Sequence, residues 1–543
     1  MKKIDSNKFK SIIIKAFELL NEKRDVVDSL NVFPVPDGDT GTNMTMTMKS
    51  GVERVKDTET SSCYDVAKAL SQGTLMGARG NSGVITSQIM RGFYNGFKDY
   101  TEFNIFALRD GFVESYKTAY KAVMKPTEGT ILTVSRCMGE FADQNYQNYE
   151  DIKEFLTDII SEGNKALLKT KEMLPVLKEA DVVDAGGQGL MLFLEGVLNY
   201  DNEKLISETV IDESSRTINE NTNVVSDEEI EFGYCTEFFI MTDADENSYR
   251  SKLENFGDCL LVVKGDGVIK THIHTNNPGK VLEIAMELGA LRDIKIDNMR
   301  LQHQNLHSTE EEINQASTKT SEPEKDFGFV VVSSGKGFSK VFDMLNVDEV
   351  ITGGQTMNPS TEDIVNSIER VNAKTVFVFP NNKNIILSAN QAKQIVDKKE
   401  VFVVETKAVP QSISALLAFN EEASAEENFD SFNDVIATVK TGEVTFAVKD
   451  LNMSDIKVKK DDIIGLDQKN IRAVGNDINK VSMDLLRQLI QKDDSLVTIY
   501  YGEGCDEMMA NKLKDSLEEE YKNIDIEVVE GSQPLYYYVF SIE

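Results

Sequence analysis

Two acidic, apolar-poor stretches constrain this chain more than any other feature. Residues 201–231 hold ten acidic residues against two basic ones, with Ser, Thr and Asn filling much of the remainder. A segment of that composition cannot bury enough apolar surface to order itself well. Residues 304–326 (QNLHSTEEEINQASTKTSEPEKD) have the same character. Both read as acidic linkers. At 543 residues the chain suggests about three domains. The two linkers leave three blocks, 1–200, 232–303 and 327–543. No short tandem repeat at solenoid periods is visible.

The blocks differ in hydrophobic period. In the first, Ile12, Ile13, Ala16, Phe17, Leu19 and Leu20 recur at helical spacing, as do Ile105, Leu108, Phe112, Tyr116 and Tyr120, and Ile152, Phe155, Leu156, Ile159 and Ile160. Glycine-rich turns separate these runs, which predicts an all-α bundle with functional loops at one end. The second block reads as strand 235–241, helix 246–255, strand 258–264, strand 267–275, helix 278–288 and strand 291–297. That β-α-β-β-α-β order is the ferredoxin-like split motif of a small α+β domain. The third block alternates apolar strands at 327–333, 375–379 and 401–405 with turns and helices, which predicts a parallel α/β layer. Further strands are expected at 441–449, 455–466, 496–501 and 525–541.

Charge and composition narrow the function classes. The 58 Lys and Arg against 91 Asp and Glu give a formal charge of −33. Coulomb repulsion then opposes nucleic acid or an anionic membrane as a partner. No run approaches the roughly 20 apolar residues of a membrane span; the best candidate, 189–198, is short and carries Glu195. The N-terminal residues read as an amphipathic helix rather than a signal peptide. Five scattered cysteines give no disulfide framework. A reducing, cytoplasmic location is the expectation.

The strongest local signal is Asn31-Val-Phe-Pro-Val-Pro-Asp37-Gly-Asp39-Thr40-Gly41-Thr42-Asn43-Met44. Asp37 and Asp39 bring two carboxylates together in a flexible turn, where they repel each other unless a cation intervenes. Mg²⁺ commonly combines one or two carboxylates with substrate phosphates. Thr40 and Asn43 follow where a helix can start and offer N–H groups to a phosphate. An exposed acidic turn capping a helix satisfies the same spacing. A second turn, Gly73 to Gly83, contains Arg79-Gly80-Asn81-Ser82-Gly83, and small residues of this kind can wrap phosphate oxygens. It lacks the Gly-Lys-Ser/Thr of a Walker A loop. Val183-Asp184-Ala185-Gly186-Gly187-Gln188-Gly189 and Pro126-Thr127-Glu128-Gly129-Thr130 are two more. One such turn means little; four of them with an acidic pair in one helical block suggest a loop-built nucleotide site.

In the middle block, His272 and His274 are two apart on a predicted strand and therefore share a face. Cys235 opens a neighbouring strand. Cys with two His is a three-ligand set that leaves one position open on Zn²⁺. On spacing alone, two polar strand residues facing water, with Cys235 in the core, is the preferred reading. In the third block, Asn358-Pro359-Ser360-Thr361 can turn the chain and cap a helix near Thr361, and Phe379-Pro380-Asn381-Asn382-Lys383 follows another strand end. Loops in those places can form a site, but turn chemistry alone is the preferred reading. Tyr536–Tyr538 is read as packing in a strand.

The run NVFPVPDGDTGTNM, with GARGNSGV and VDAGGQGL downstream, resembles the nucleotide-binding domain of dihydroxyacetone-kinase-like proteins. The three-block order resembles the ATP-binding subunit of bacterial fatty acid kinase over the whole chain. The resemblance implies an eight-helix barrel holding ATP through Mg²⁺. It implies that Asp37 and Asp39 bind the metal and serve catalysis, with Asn31 where similar kinases carry a third aspartate, after a one-residue insertion. It implies that Thr40, Asn43, Met44, Asn81, Ser82 and Gly83 contact the nucleotide, with Gly80, Thr127 and Gly186 in the same loops, and that Asp184 closes over it. It also implies zinc on Cys235, His272 and His274, a DegV-like C-terminal domain, and a homodimer. The expected activity is transfer of the ATP γ-phosphoryl to a fatty acid carboxylate held by a separate DegV-like fatty-acid-binding protein. The alternatives are a non-catalytic nucleotide-sensing scaffold and a kinase of a small hydroxylated substrate such as dihydroxyacetone. The latter kinases bind substrate covalently through a histidine of a different domain.

Overall fold

The computed structural model describes residues 4–200, 234–298 and 325–543, apart from 33–37, 61, 99, 101, 124, 243, 245, 254–255, 266–267, 355–357, 454–455 and 469. The described residues form two compact units, one drawn from 1–208 with 323–543 and one from 209–322.

The helical spacing of the first block becomes α1 (Ser6–Glu22), α2 (Arg24–Ser29), α3 (Thr40–Asp57), α4 (Cys63–Met76), α5 (Gly80–Phe97), α6 (Ile105–Ala122), α7 (Ile131–Asn145), α8 (Ile152–Met173), α9 (Pro175–Ala180) and α10 (Ala185–Leu198). Asp5, Asn104 and Asp151 start α1, α6 and α8, their side chains accepting first-turn N–H groups that have no partner inside the helix. Packing runs in sequence from α3 to α8, continues through α10 to α1, and returns to α3. Helix α10 is apolar on most of its circumference, so it is buried against several neighbours rather than along one stripe.

The unit from 209–322 contains β1 (Tyr234–Met241), α11 (Glu246–Leu253), β2 (Gly257–Gly265), β3 (Val268–Thr275), α12 (Pro278–Met286) and β4 (Ala290–Asn298). Its sheet order is β2–β3–β1–β4, with every pair antiparallel. Alternate residues Thr236, Phe238 and Ile240 of β1 and Thr271, Ile273 and Thr275 of β3 are buried; the apolar ones pack with Tyr249, Leu253, Val281 and Ala285. The period of two therefore decides which face meets the helices.

The third block opens with β5 (Lys325–Ser333), α13 (Lys336–Met344), β6 (Glu349–Thr352), α14 (Thr361–Arg370), β7 (Ala373–Phe379), α15 (Ile386–Ile395) and β8 (Glu400–Val403). These strands form the expected parallel sheet, ordered β6–β5–β7–β8. Then follow α16 (Val409–Leu417), α17 (Ala425–Thr438), β9 (Lys440–Phe446), β10 (Leu451–Met453), β11 (Ile456–Val458), β12 (Ile463–Leu466), β13 (Ile471–Gly475), α18 (Ile478–Leu489), β14 (Leu496–Tyr501), α19 (Glu507–Glu520), β15 (Asp525–Glu530) and β16 (Tyr536–Ile542). They build a second sheet, β13–β12–β9–β16–β14–β15, in which only β14 and β15 run parallel. Two expected single strands are broken. The 455–466 run turns at Asp461 (φ 71°) between β11 and β12. The 525–541 run turns at Ser532 (φ 50°) and Leu535 (φ 69°), around Pro534, between β15 and β16. Left-handed residues cannot continue a strand.

Candidate active site

The four glycine-rich turns, spread over some 150 residues of sequence, line one cavity of about 390 Å³. Its walls are Gly38, Asp39, Thr40 and Asn43 at the head of α3, Asn81 and Ser82 at the head of α5, Thr127 and Thr130–Leu132 at the head of α7, and Asp184–Gly186 at the head of α10. The first N–H groups of a helix lack internal partners and carry partial positive charge. Four such ends around one cavity make a setting for an anion of several charges. Leu30, Val32, Ile85, Val123 and Leu177 supply apolar wall, and Lys125 a cation.

Each turn is held by local chemistry. The head of α3 is capped from outside the motif: Asp28 accepts the N–H of Gly41 (2.6 Å) and of Thr42 (3.1 Å) on Oδ1, and the Thr42 hydroxyl (2.8 Å) on Oδ2. Helix α5 begins with no side-chain cap. Gly80 there has φ 59°, and a Cβ on it would lie 2.4 Å from Asn43 Nδ2, so only glycine fits. The turn before α7 is tied by Glu128, which accepts from Thr133 (2.5 Å), Tyr120 (2.8 Å) and Arg136 (3.0 Å). The Thr133 hydroxyl first, then the hydrogen bonds from Tyr120 and Arg136, hold the Glu128 carboxyl below its usual range. At α10, Asp184 accepts the Gly187 N–H at 2.7 Å. Desolvation pushes its carboxyl up to about 6, against the pull of the Gly187 and Ile131 N–H groups.

Of the residues singled out in the sequence, Asn31, Asp39, Thr40, Asn43, Asn81, Ser82, Thr127, Asp184 and Gly186 line the cavity together. Asn31 Oδ1 accepts the Thr40 hydroxyl at 2.7 Å. Gly80 and Gly83 pack behind the wall, against Asn43 and Thr47. Met44 is 1% exposed and sits in the helical core against Gly189, away from the cavity lining. Asp37 lies outside the described residues, between Val32 and Gly38, which both reach the cavity. Sequence reading missed Asp28, which caps α3, and Lys125 and Asn384, which line the cavity; Lys383, in a strand-end loop read as turn chemistry, lines it as well.

Among the described residues no three His, Cys, Asp or Glu side chains gather closely enough to hold a metal ion. The oxygens at the head of α3 nevertheless suit Mg²⁺, which takes one or two carboxylates and completes its shell with phosphates and water. Asp39 is only 9% exposed, and Asn81 Oδ1 is buried without a hydrogen-bond partner. In the middle unit, Cys235 pairs directly with His274 across β1 and β3, and position 272 lies two residues along the same strand. Positions 235, 272 and 274 alternate with the buried Thr236, Thr271, Ile273 and Thr275.

Family models match along the chain. One described as a DAK2 domain matches residues 34–199. Two FakA-like models of fatty acid kinase, one for the middle domain and one for the C-terminal part, match residues 231–306 and 328–543. Protein YloV of Bacillus subtilis (strain 168) is 42% identical over 553 residues, covering 99% of this chain and 99% of that protein. The chain belongs to the FakA-like fatty acid kinase family. An uncharacterized protein of Staphylococcus aureus (strain USA300) is 39% identical over 550 residues, covering 100% of both. Among solved structures, the DegV family protein Cg2579 from Corynebacterium glutamicum gives a TM-score of 0.32 at 13% identity, covering 40% of this chain and 97% of that one. The dihydroxyacetone kinase of C. freundii gives 0.29 at 10% identity, covering 41% and 48%. The FakA-like family is a kinase family, with a DAK-like helical domain at the N-terminus and an α/β domain at the C-terminus. No helix among the described residues is long and apolar enough to cross a membrane.

Proposed function

We propose that this chain is the ATP-binding, phosphoryl-transferring subunit of fatty acid kinase. Its acceptor is the carboxylate of a fatty acid presented by a separate DegV-like fatty-acid-binding protein, and its products are acyl phosphate and ADP. The observation that carries the reading is the convergence of four helix N-termini and Asp39 on one cavity in a chain of this family.

The acceptor explains why no general base is needed. A carboxylate is already an oxyanion near neutral pH. Its oxygen forms the new bond to the γ-phosphorus, the bond from that phosphorus to the β,γ-bridging oxygen breaks, and ADP leaves with the electron pair. What the site must supply is in-line placement and cancellation of charge. The uncapped N–H groups heading α5, with those of Ala185 and Gly186 at α10, would hold the phosphates, with Thr40, Asn43, Ser82 and Thr127 beside them. The apolar wall of Leu30, Val32 and Leu177 suits the base. Asp37, Asp39 and Asn31 would hold Mg²⁺, which supplies neutralisation of the β- and γ-phosphate charge.

The pairing of Cys235 with His274 supports a zinc site with His272, acting as a structural clip beneath a docking surface for the lipid carrier. The antiparallel order β2–β3–β1–β4 supports a ferredoxin-like middle domain, and the closed circuit of helices supports an eight-helix barrel. The family resemblance carries a homodimer.

The test is a phosphotransfer assay with the purified chain, Mg-ATP and oleate, with and without a fatty-acid-loaded DegV-like partner, trapping acyl phosphate as hydroxamate. Product is expected only with the partner. Asp39→Ala should cut the rate by at least about 100-fold, the upper end of what losing even an outer partner of a metal ligand costs. No product with several loaded partners, despite tight Mg-ATP binding, would favour a nucleotide-sensing scaffold instead.

A further inference from the structure

The C-terminal domain reaches the cavity at the heads of α3 and α5. Its contributions come from the loops that follow β6 and β7, at the C-terminal ends of parallel strands. Asn384 accepts a hydrogen bond from Asn81 Nδ2 at 3.4 Å, and Lys383 joins the cavity wall. Deeper in, Asn358 Nδ2 donates to Asp39 Oδ2 at 2.6 Å, joining residues 319 apart in sequence. Asn358 is 1% exposed, and its Oδ1 has no hydrogen-bond partner.

The placement of Asn358 is over-determined. Arg79 Nη1 donates to its backbone carbonyl at 3.1 Å, and Arg79 forms an antiparallel bridge with Ser360. The Thr361 N–H donates to Ala78 O at 3.0 Å, and Ser360 caps α14 in a reciprocal box with Asp363. Lys449 Nζ donates to Ser29 O at 3.3 Å and to the backbone carbonyl of the cavity-lining Asn31, and off the cavity Gln391 Nε2 donates to Leu75 O at 2.9 Å. The backbone that carries Asn358 is therefore pinned to the turn leading into α5.

We infer that Asn358 is a positioning residue for the Mg-nucleotide site, fixing the Asp39 carboxylate from the opposite domain. A neutral amide suits this role better than Lys or Arg. It orients one carboxylate oxygen by a hydrogen bond and leaves the negative charge available to a cation, which an ion pair would cancel. The unpartnered Oδ1 adds a buried hard oxygen beside that carboxylate. Partners that orient a metal ligand typically matter about 10- to 100-fold in metal affinity. The α/β domain thereby completes a site whose other residues belong to the helical domain.

The inference rests on Asp39 facing a Mg-nucleotide, so the experiment separates the two. ATP binding to the full chain is measured by calorimetry across a magnesium titration and again in excess EDTA. For Asn358→Ala, the magnesium concentration giving half-maximal ATP affinity should rise about 10-fold or more, with metal-free nucleotide binding unchanged. Asn358→Asp keeps the shape but removes the donated hydrogen bond and places a second carboxylate against Asp39, a repulsion that a cation relieves, so its magnesium curve should also move away from that of the unaltered chain. Gln391→Ala, in the same interface but off the cavity, should leave the magnesium curve in place. A wild-type magnesium curve in both Asn358 variants overturns the role of Asn358 alone. An equal shift in Gln391→Ala overturns it too, because docking rather than this bond would then set the metal response. Absence of magnesium-dependent ATP binding in the unaltered chain overturns the site reading itself.

Discussion

Asp184 gives the site a pH dependence whose sign can be worked out. Burial raises its carboxyl to about 6 in the folded chain, against about 3.9 when unfolded. The folded state therefore binds more protons between these values. Stability is fully present below the unfolded value and is lost as pH rises through about 6. Between pH 5.5 and 7.5 the loss amounts to about 1 kcal/mol. Asp184→Asn can still accept the Gly187 N–H but does not ionise, so its urea midpoint should fall less over that interval. Parallel midpoints for both proteins would show that the carboxylate is solvated in the fold. At this scale the sequence is readable where chemistry is local. Asp39, Thr40, Asn81 and Ser82 stand in short glycine-marked motifs, and they do meet at one cavity. Asp28 was not readable, because a cap 13 residues upstream of Gly41 has no fixed spacing. Met44 shows the reverse. It belongs to the motif by position, but helical geometry turns it into the core against Gly189.

Among the elements, the corner between α2 and α3 leaves no room for a side chain at Gly41. A Cβ on Gly41 would lie 2.3 Å from the Arg24 carbonyl oxygen, 2.9 Å from Val27 Cβ and 3.1 Å from Asp28 Oδ1. The first obstacle is backbone, which cannot swing aside as a side-chain tip can. Gly41→Ala should therefore cost about 1–3 kcal/mol of overpacking and also displace Asp28 from the N–H groups it caps. The expected result is a lowered melting temperature together with weakened ATP binding, read on the same sample. An unchanged melting temperature would mean that α2 moves away at little cost. Helix existence was legible from the period of α1, α6 and α8, because an amphipathic stripe is a property of sequence alone. The breaks after β11 and β15 were less legible. The charged run Lys459–Asp462 and the turn residues Gly531-Ser-Gln-Pro534 mark both places in composition, but the left-handed residues Asp461, Ser532 and Leu535, none of them glycine, leave a weak signal of where the chain reverses. The mainly antiparallel second sheet was hidden for a related reason: pairing partners such as β9 and β16 are set by tertiary contact.

At the scale of the whole molecule, chemistry is divided between the two units. Every residue lining the candidate active site belongs to the unit drawn from 1–208 and 323–543, whereas Cys235, His272 and His274 belong to the other. The middle unit has its own core around Phe238, Tyr249, Leu253 and Ile273. Changes at sites that share no partners add independently, so metal loss in the middle unit should leave nucleotide binding intact. A small domain that relies on a metal clip, however, loses folding free energy when the ligands go. On the zinc site proposed above, the double variant His272→Ala/His274→Ala should therefore bind less zinc than the unaltered chain on metal analysis and unfold its middle unit at lower temperature. It should bind Mg-ATP as before and transfer phosphoryl groups more slowly to a lipid held by the partner protein. Full zinc content in that variant would remove the histidines from the site. Loss of ATP binding along with the zinc would mean that the two units are thermodynamically coupled, which neither separate core requires.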